Sequence, residues 1–175
     1  WVSVDGNGVL EVGADGDLAQ ARHHHRGLNV STVAEDGHGR IWCGFWSRGA
    51  AVWDGATWGN HIGDERTSAI LTICEDRSQT LWAATSANGV WRRAFNRQEW
   101  THDLADEGAV NLLAATPDGR VWVSSQMHGG LRYWDGEAWQ VSLDSPLPIR
   151  CILQTADGRT VAGGVLDGLH VREGK

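Results

Sequence analysis

Short apolar stretches alternate with turn clusters along the entire chain. Within residues 30–61 the apolar stretches are "VSTVAE", "IWCGF", "AAVWD" and "TWGNH", and the turns include "DGHGR", "SRG" and "DGATW". Short β-branched and aromatic runs bounded by Gly and Asp are typical of strands, and a Gly in a tight turn readily adopts a positive φ. No stretch shows helical periodicity over three turns. The pattern therefore predicts an antiparallel meander of four short strands.

The meander recurs along the chain. Trp42, Trp82 and Trp122 are spaced by 40 residues, Trp1 lies 41 residues before Trp42, and Val161 lies 39 residues after Trp122. A Gly follows each of these anchor positions by seven residues, at Gly8, Gly49, Gly89, Gly129 and Gly168. One meander cannot bury both of its faces, so neighbours must stack. Stacked four-stranded meanders are propeller blades. The sequence predicts an all-β β-propeller with four-stranded antiparallel blades of about 40 residues, four to five of them in this chain.

We interpret residues 1–175 as one propeller domain or a portion of one. The repeats run over residues 1–40, 41–80, 81–120 and 121–159, with a partial repeat at 160–175. With "VSTVAE" as the innermost strand, complete blades cover roughly 29–64, 68–107 and 109–144. Residues 1–26 then supply strands two to four of a blade, and residues 149–175 supply strands one to three. Such end blades expose strand edges that invite pairing. Three arrangements stay open: a piece of a larger ring, a ring completed by another copy, and a five-bladed closure with trimmed end blades.

The eleven tryptophans fall mainly into two classes. We expect the anchors Trp1, Trp42, Trp82 and Trp122 to lie mid-strand and to fill the wedge between blades, each contributing about 3 kcal/mol or more when fully buried. The second class brackets the third turn of each blade, and we expect its members to staple the outer hairpin by cross-strand contact. These pairs are Trp53 with Trp58, Trp91 with Trp100, and Trp134 with Trp139.

Composition excludes several classes of function. The net charge is −7 and Arg residues are scattered, which argues against nucleic-acid binding. No apolar run approaches the ~18 residues of a membrane span, so we expect no membrane insertion. The three cysteines, Cys43, Cys74 and Cys151, each lie in an apolar run and are expected to be buried thiols.

The repeat resembles that of the two-component regulator propeller family. The matching stretches are "AEDGHGRIWCGFWSRGAAVWDGATW" (34–58), "CEDRSQTLWAATSANGVW" (74–91) and "TPDGRVWVSSQMHGGLRYWDGEAW" (116–139). The "GT" that follows Trp in the family is replaced here, and the last repeat has Val161 in place of Trp. The resemblance implies a propeller fold and an extracytoplasmic, periplasmic or secreted binding role, as in the sensing regions of bacterial hybrid sensor kinases, some of which recognise oligosaccharides. The repeat motif itself carries no catalytic residues. The virginiamycin B lyase type of propeller has a comparable repeat.

Loops at one end of the blades are the predicted binding surface. Two sets of loops meet there and vary between blades: those before each inner strand and those between strands two and three. The first set comprises "HHHRGLN", "IGDERTS", "LADEGA" and "DSPLPIR", and the second "WSRG", "SANG", "QMHGG" and "LDG". One inner-strand position also varies, and we predict that it lines the channel: Ser31, Leu71, Asn111 and Arg150. The candidate ligand-binding residues are Trp46, Arg48, Asn88, Gln126, His128 and Arg150.

Two further features could be interpreted as a metal site or as catalytic carboxylates. His23 to His25 form a run of three, but successive strand residues alternate faces, so at most His23 and His25 converge. Glu35, Asp36, Glu75 and Asp76 recur as "ED" in turns, where Asp usually accepts hydrogen bonds from backbone N–H groups. We therefore predict no metal site, no cofactor and no catalytic residues.

The sequence favours a non-catalytic ligand-binding or sensory propeller that recognises a glycan or another small extracellular molecule. One alternative is a propeller enzyme, a lyase or a glycoside hydrolase, with a compact His and Glu cluster at one mouth. Another is a structural propeller whose Trp-rich edges mediate self-association or assembly with other blades.

Overall fold

The computed structural model describes residues 1–62, 68–166 and 168–173. It divides into two compact units, Trp1–Ile73 and Cys74–Lys175. The predicted loops "IGDERTS" and "LDG" each contain positions that lie outside the described residues. Within the described part of the chain, no helix is long and apolar enough to cross a membrane.

The first unit contains two antiparallel sheets. A three-stranded sheet has the order β1-β2-β3, and a four-stranded sheet has the order β4-β5-β6-β7. The strands are β1 (Val2–Ser3), β2 (Val9–Glu11), β3 (Arg22–His24), β4 (Val30–Glu35), β5 (Ile41–Phe45), β6 (Ala50–Trp53) and β7 (Trp58–Ile62). A short 3-10 helix, Leu18–Gln20, precedes β3. Each strand follows the strand beside it in sequence, as the meander pattern predicted.

Three further sheets follow along the chain. Strand β8 begins in the first unit and heads a four-stranded sheet of order β11-β10-β9-β8, and the second unit continues with β12-β13-β14-β15 and the three-stranded β16-β17-β18. The strands are β8 (Ile70–Glu75), β9 (Thr80–Thr85), β10 (Val90–Ala94), β11 (Thr101–Asp103), β12 (Val110–Ala115), β13 (Val121–Ser125), β14 (Gly129–Trp134), β15 (Trp139–Leu143), β16 (Ile149–Gln154), β17 (Thr160–Gly164) and β18 (Leu169–Arg172). The predicted all-β class and its propeller blades are therefore confirmed.

Three anchor tryptophans are fully buried at equivalent sites. Trp42, Trp82 and Trp122 lie in the second strands β5, β9 and β13 and have no exposed surface. The indole Nε1–H of each donates to an acceptor six residues upstream: to the Asp36 carboxylate (2.8 Å), the Asp76 carboxylate (2.7 Å) and the Thr116 hydroxyl (2.9 Å). Because a buried donor without a partner is costly, this contact lets each blade bury an indole. The spacing is visible in the sequence, but its role was not predicted.

Trp1 departs from the other anchors. It precedes β1 and is only half-buried, so the prediction that it lies mid-strand is wrong. Its ring packs instead against Trp53 (centroids 6.3 Å apart) and Trp58 (5.9 Å) of the following sheet. These aromatic residues cover a core formed by Val9, Ile41, Cys43, Phe45 and Ala51.

The outer hairpins follow the prediction in two blades. Trp53 pairs with Trp58 and Trp134 pairs with Trp139 across the third turn, with ring centroids 5.6 and 5.7 Å apart. In the blade that contains β8 to β11, the predicted pairing of Trp91 with Trp100 is wrong. The longer turn between β10 and β11 places His102 opposite Trp91, and the two rings stack 4.2 Å apart at an interplanar angle of 3°.

The cysteines are free and differ in burial. Cys43 is buried, whereas Cys151 is exposed, so the expectation of a buried thiol is wrong for Cys151. Burial raises the pKa of the Cys43 and Cys74 thiols to about 12, which keeps both protonated at neutral pH. Cys151 is exposed because it lies on the last sheet, whose apolar Leu153, Leu169 and Val171 are also exposed.

Candidate functional site

Two sets of loops meet at one end of the sheets within each unit. In the second unit, the Gly89 N–H donates to the Gly108 carbonyl (2.8 Å) and the Gly130 N–H donates to the Leu147 carbonyl (2.9 Å). Each loop between a second and a third strand therefore packs against a loop that precedes an inner strand. The Gly8 N–H makes the same contact with Leu28 in the first unit, also at 2.8 Å. Within each unit, these are the loops that the sequence predicted for binding, and we call the end of the sheets that they form the loop face of that unit.

The recurrent Gly that follows each anchor by seven residues shapes this face. All five have a positive φ, between 62° and 82°. A Cβ on Gly89 would lie 2.0 Å from the Leu104 carbonyl oxygen, and one on Gly8 would lie 2.2 Å from the His24 carbonyl oxygen. At Gly89 and Gly8, glycine is therefore required both for the turn, as predicted, and for the close approach of a neighbouring backbone segment.

In the first unit, the loop between β5 and β6 presents two of the predicted site residues. Trp46 has 57% of its surface exposed, and Arg48 is exposed as well. The loop is fixed at its base because the Trp46 N–H donates to the Asn29 carbonyl (3.2 Å) and the Phe45 N–H donates to the Gly49 carbonyl (2.9 Å). An exposed indole on an anchored backbone is a flat apolar surface with a polar edge.

His25 lies behind this loop. It has a φ of 54°, and its ring lies 4.3 Å from that of Trp58 and 5.0 Å from that of Phe45. Burial lowers the pKa of His25, and the charges of His24 and Arg48 act in the same direction. A neutral His25 is thus favoured at neutral pH.

The histidine run is structural rather than a converging pair. It is His24 and His25 that pack on the aromatic cluster, because β3 ends at His24 and the left-handed backbone turns His25 inward. His24 accepts a hydrogen bond at Nδ1 from the Trp58 indole (3.1 Å), and its Nε2 lies 3.0 Å from a Glu11 carboxylate oxygen. The prediction that at most His23 and His25 converge is therefore wrong, because His24 and His25 pack on the same ring of Trp58.

In the second unit, three predicted residues lie on the loop face. Asn88, Gln126 and His128 are all exposed. Their backbones are held firmly: the Gln126 N–H donates to the Ala109 carbonyl (2.8 Å), and the Asn88 carbonyl lies 2.6 Å from His102 Nε2. The His128 ring reaches the Asp106 carbonyl at 3.2 Å.

A buried acid beneath these loops was not predicted from the sequence. Glu107 is 8% exposed and closes a short 3-10 helix, Ala105–Glu107. One carboxylate oxygen lies 2.5 Å from Arg132 Nη1, and the other accepts a hydrogen bond from Ser125 Oγ (2.6 Å). Ser125 Oγ in turn accepts from the His128 N–H (3.1 Å). The chain from Arg132 through Glu107 and Ser125 holds the loop that presents His128.

Arg150 lies on the inner strand β16, apart from the loop residues. It is exposed and sits where the register between β16 and β17 shifts between Ile149 and Cys151. The same shift occurs at Ser31 and Asn111 in two other sheets. A residue in a β-bulge is left out of the pairing with the neighbouring strand, so its side chain does not follow the alternation along the strand. This explains why the residue type varies at this position. That it lines a channel stays a prediction.

Of the recurrent carboxylates, the Asp residues serve the turns, whereas the prediction is wrong for Glu35 and Glu75, which are the last residues of strands β4 and β8. The Asp36 carboxylate accepts hydrogen bonds from the backbone N–H groups of His38 and Arg40, both at 3.0 Å, besides the Trp42 indole. Burial acts to raise the pKa of Asp36, but hydrogen bonds from Trp42, Arg40 and His38 outweigh it and hold the pKa below its ordinary value. Among the described residues, no group of three or more His, Cys, Asp or Glu side chains is arranged to hold a metal ion.

Comparisons with known proteins identify the fold. No family model matches the sequence, and no curated protein sequence matches it. Among solved structures, the chain is similar to the extracellular domain of BT4673 from B. thetaiotaomicron, described as a one-component or hybrid two-component system. The TM-score is 0.70 at 13% identity, over 95% of this chain and 25% of that one.

Two further structures show the range of similar proteins. The extracellular domain of the hybrid two-component system BT3049 from B. thetaiotaomicron has a TM-score of 0.55 at 17% identity, over 98% of this chain and 30% of that one. Virginiamycin B lyase from Staphylococcus aureus has a TM-score of 0.73 at 10% identity, over 96% of this chain and 63% of that one. This chain thus spans between a quarter and a third of the two extracellular domains. The resemblance to two-component regulator propellers is confirmed at the level of fold.

Proposed function

We propose that the chain is part of a non-catalytic, sensory β-propeller whose loop face binds a glycan or another small extracellular ligand. The observation that carries the proposal is Trp46, which exposes 57% of its surface on a loop whose backbone is anchored at both ends. The exposed indole offers a flat apolar face with a polar N–H edge, which suits contact with an amphipathic ligand. A sugar ring packs on an indole face, and the adjacent Arg48 suits sugar hydroxyls or carboxylates.

The second unit supports the proposal with a separate polar patch. Gln126, Asn88 and His128 present amide and imidazole groups on loops that are held by hydrogen bonds to neighbouring loops. Pre-organised polar groups bind with less loss of conformational entropy than mobile ones. We assign Arg150 to the same ligand-recognition role from its exposed, bulged position on β16.

The extracytoplasmic placement is part of the proposal. It rests on similarity in fold to the extracellular domains of BT4673 and BT3049. The proposed sensory role is supported by the same neighbours, which are described as extracellular domains of a one-component and a hybrid two-component system.

The enzymatic alternative is less well supported by the site. Virginiamycin B lyase is similar in fold, and an acid–base mechanism needs a carboxylate or an imidazole presented to the substrate. Glu107, the buried carboxylate beneath the loop face, already forms an ion pair with Arg132 and accepts a hydrogen bond from Ser125. A ligand-dependent reaction that is lost in His128→Ala would favour the enzyme.

A glycan array followed by calorimetry tests the proposal. Trp46→Ala is expected to weaken binding of the selected glycan by tenfold or more, about the loss that removal of a stacking aromatic side chain from a binding site produces. Phe95→Ala is the matched control, because Phe95 is also an exposed aromatic residue but lies in the turn between β10 and β11, at the opposite end of its sheet. Unchanged affinity in Trp46→Ala would remove Trp46 from the site, and no glycan bound by the wild-type protein would contradict the glycan proposal.

A further inference from the structure

Each unit has an exposed asparagine on its loop face, directly before one of the recurrent glycines. In the first unit this residue is Asn7, before Gly8, and in the second unit it is Asn88, before Gly89. Asn88 is one of the candidate binding residues, whereas Asn7 is not among them. Within the described part of the chain, neither side-chain amide forms a hydrogen bond.

The backbone N–H of each asparagine is bonded within its own loop. The Asn7 N–H donates to the Val4 carbonyl (2.9 Å). The Asn88 N–H donates to the hydroxyl of Thr85, which is also three residues upstream (2.8 Å). The turn between the second and third strands of the blade therefore fixes one of the two backbone polar groups.

The backbone carbonyl of each asparagine is held by a histidine from the outer strand of the same sheet. His23 of β3 places Nε2 against the Asn7 carbonyl oxygen, and Nε2 of His102 in β11 lies 2.6 Å from the Asn88 carbonyl oxygen. Because a carbonyl only accepts, Nε2 carries the proton in both contacts. Protonation of the other ring nitrogen, Nδ1, leaves this donor in place, so both charge states of the imidazole can form the hydrogen bond.

The register of the sheets places the two histidines at equivalent positions. In both sheets the residue two positions after the recurrent Gly pairs with the histidine: Leu10 pairs with His23, and Trp91 pairs with His102. Each unit forms the arrangement from its own strands. In the second unit the His102 ring also stacks on Trp91, 4.2 Å away at an interplanar angle of 3°, which fixes the plane in which Nε2 meets the loop.

The blade formed by β12 to β15 lacks the outer-strand histidine. Its residue two positions after the recurrent Gly is Leu131, which pairs with Leu143, and an aliphatic side chain has no donor. The residue before the recurrent Gly is here His128, whose own ring reaches the Asp106 carbonyl at 3.2 Å. The imidazole therefore belongs to the loop in this blade, whereas the unbonded amides of Asn7 and Asn88 accompany an outer-strand histidine.

We infer that His23 and His102 are positioning residues for the loop faces of their units, and that each holds an asparagine whose amide contacts the ligand. The inference rests on the proposed binding function, and it adds Asn7 to the binding surface of the first unit as the counterpart of Asn88. Because both backbone groups of each asparagine are already bonded, its amide is presented with little further loss of backbone freedom. An amide both donates and accepts hydrogen bonds, which matches the hydroxyl groups of a sugar.

Amide hydrogen exchange of the protein without any ligand tests the positioning role. His102→Phe keeps an aromatic ring over Trp91 but removes the donor. The backbone amides of Asn88 and Gly89 are then expected to exchange about fivefold faster, the size of effect expected for the loss of one hydrogen bond. His102→Gln places an amide donor near the Nε2 position and is expected to restore the wild-type rates. Thr101→Val is the matched control, because Thr101 precedes His102 on β11, is exposed, and forms no side-chain hydrogen bond with this loop among the described residues.

His23→Phe in the first unit is a second, independent test, which decides the question if His102→Phe fails to fold. The backbone amides of Asn7 and Gly8 are expected to exchange about fivefold faster in this variant, with recovery in His23→Gln. Unchanged exchange of these amides in the Phe variants, or no recovery in the Gln variants, would overturn the positioning role.

Calorimetry with the glycan that an array selects for the wild-type protein tests the contribution to binding. Asn7→Ala and Asn88→Ala are each expected to weaken binding about fivefold, and His102→Phe is expected to weaken it while His102→Gln restores it. Wild-type affinity in both alanine variants would remove the two amides from the binding surface. If the wild-type protein binds no glycan, the proposed function fails, whereas the exchange rates still decide whether the histidines position the loops.

Discussion

Trp82 and Trp122 are the same anchor in successive blades of one unit, yet their surroundings differ. Both are fully buried, and both donate the indole N–H to an acceptor six residues upstream. Trp82 lies under an outer hairpin, with Trp134 at 6.0 Å and Trp139 at 5.7 Å. Trp122 has Tyr133 at 4.9 Å from its own blade and, from the last sheet, the Arg172 guanidinium. A cavity of about 590 Å³, lined by Trp122, Leu143, Ala162 and Arg172 among others, adjoins this site.

This difference separates two contributions to the stability of the repeat. The turn six residues upstream fixes the indole within its own blade, whereas the outer hairpin of the next blade fills the wedge above it. Stability in stacked repeats is a sum of such internal and neighbour terms. At the Trp122 site the first contribution is the same, whereas the second comes from Arg172 and its sheet instead of a pair of tryptophans.

The largest expected effect is from Trp82→Ala. Removing a fully buried indole leaves a cavity that Trp134 and Trp139 cannot fill, so we expect the free energy of unfolding to fall by about 4 kcal/mol. Chemical denaturation followed by circular dichroism measures the change. Trp46→Ala is the control and is expected to change stability by at most about 0.5 kcal/mol, because Trp46 is exposed. Equal losses in the two variants would contradict the buried anchor.

Replacement of the recurrent Gly sharpens the same comparison. A Cβ at Gly89 meets the Leu104 carbonyl at 2.0 Å, whereas one at Gly168 meets nothing within 4 Å, although φ is positive at both. We expect Gly89→Ala to cost about 3 kcal/mol, from backbone strain plus the clash, and Gly168→Ala only about 1 kcal/mol, from strain alone. The thermal midpoints of the two variants test this. A larger loss in Gly168→Ala would show that the last sheet is packed like the complete blades.

Trp139→Ala is expected to make the Trp82 site resemble that of Trp122. The half-buried Trp139 ring covers Trp82 and its loss opens a cavity, so we expect a destabilisation of about 2 kcal/mol. Denaturant unfolding gives the value. Val141→Ala, in the same strand and 63% exposed, is the control that is expected to change little. Unchanged stability in Trp139→Ala would contradict the conclusion that one blade covers the anchor tryptophan of the preceding blade.

The smallest expected effect is on the pH dependence of stability, and it comes from the group that accepts the hydrogen bond of the anchor indole. Trp42 uses the Asp36 carboxylate, whereas Trp122 uses the Thr116 hydroxyl. Because hydrogen bonds hold the pKa of Asp36 below its ordinary 3.8, its stabilising contribution is complete above that value and is lost as pH falls through the lower folded value. We expect Asp36→Thr to cost about 1 kcal/mol at pH 7 and less at pH 3. Unfolding free energies at the two pH values check this, and a cost that grows in acid would contradict it.

The repeat made the sheets predictable from the sequence. The spacing of Trp42, Trp82 and Trp122 sets the period, and the turn clusters place the strands, because a meander contains only local pairings. The upstream acceptors Asp36, Asp76 and Thr116 were also visible at a constant spacing, but their role depends on which way the indole N–H points.

Features set by longer-range packing were not predictable. The pairing of Glu107 with Arg132 joins a loop to a strand of the next blade, and neither residue recurs with the repeat. The stacking of Trp91 on His102 depends on the length of a turn that differs from those of its neighbours. Exposure of Cys151 follows from the free face of the last sheet rather than from its apolar sequence context.

Hydrogen exchange of the indole N–H groups tests the central claim most directly. In protein labelled with ¹⁵N at tryptophan, the Nε1–H signals of Trp42, Trp82 and Trp122 are expected to be strongly protected, because each is buried and bonded to an acceptor six residues upstream. The exposed Trp46 is expected to exchange within the dead time. Rapid exchange of the three anchors at the rate of Trp46 would contradict an indole wedged at the same place in every blade.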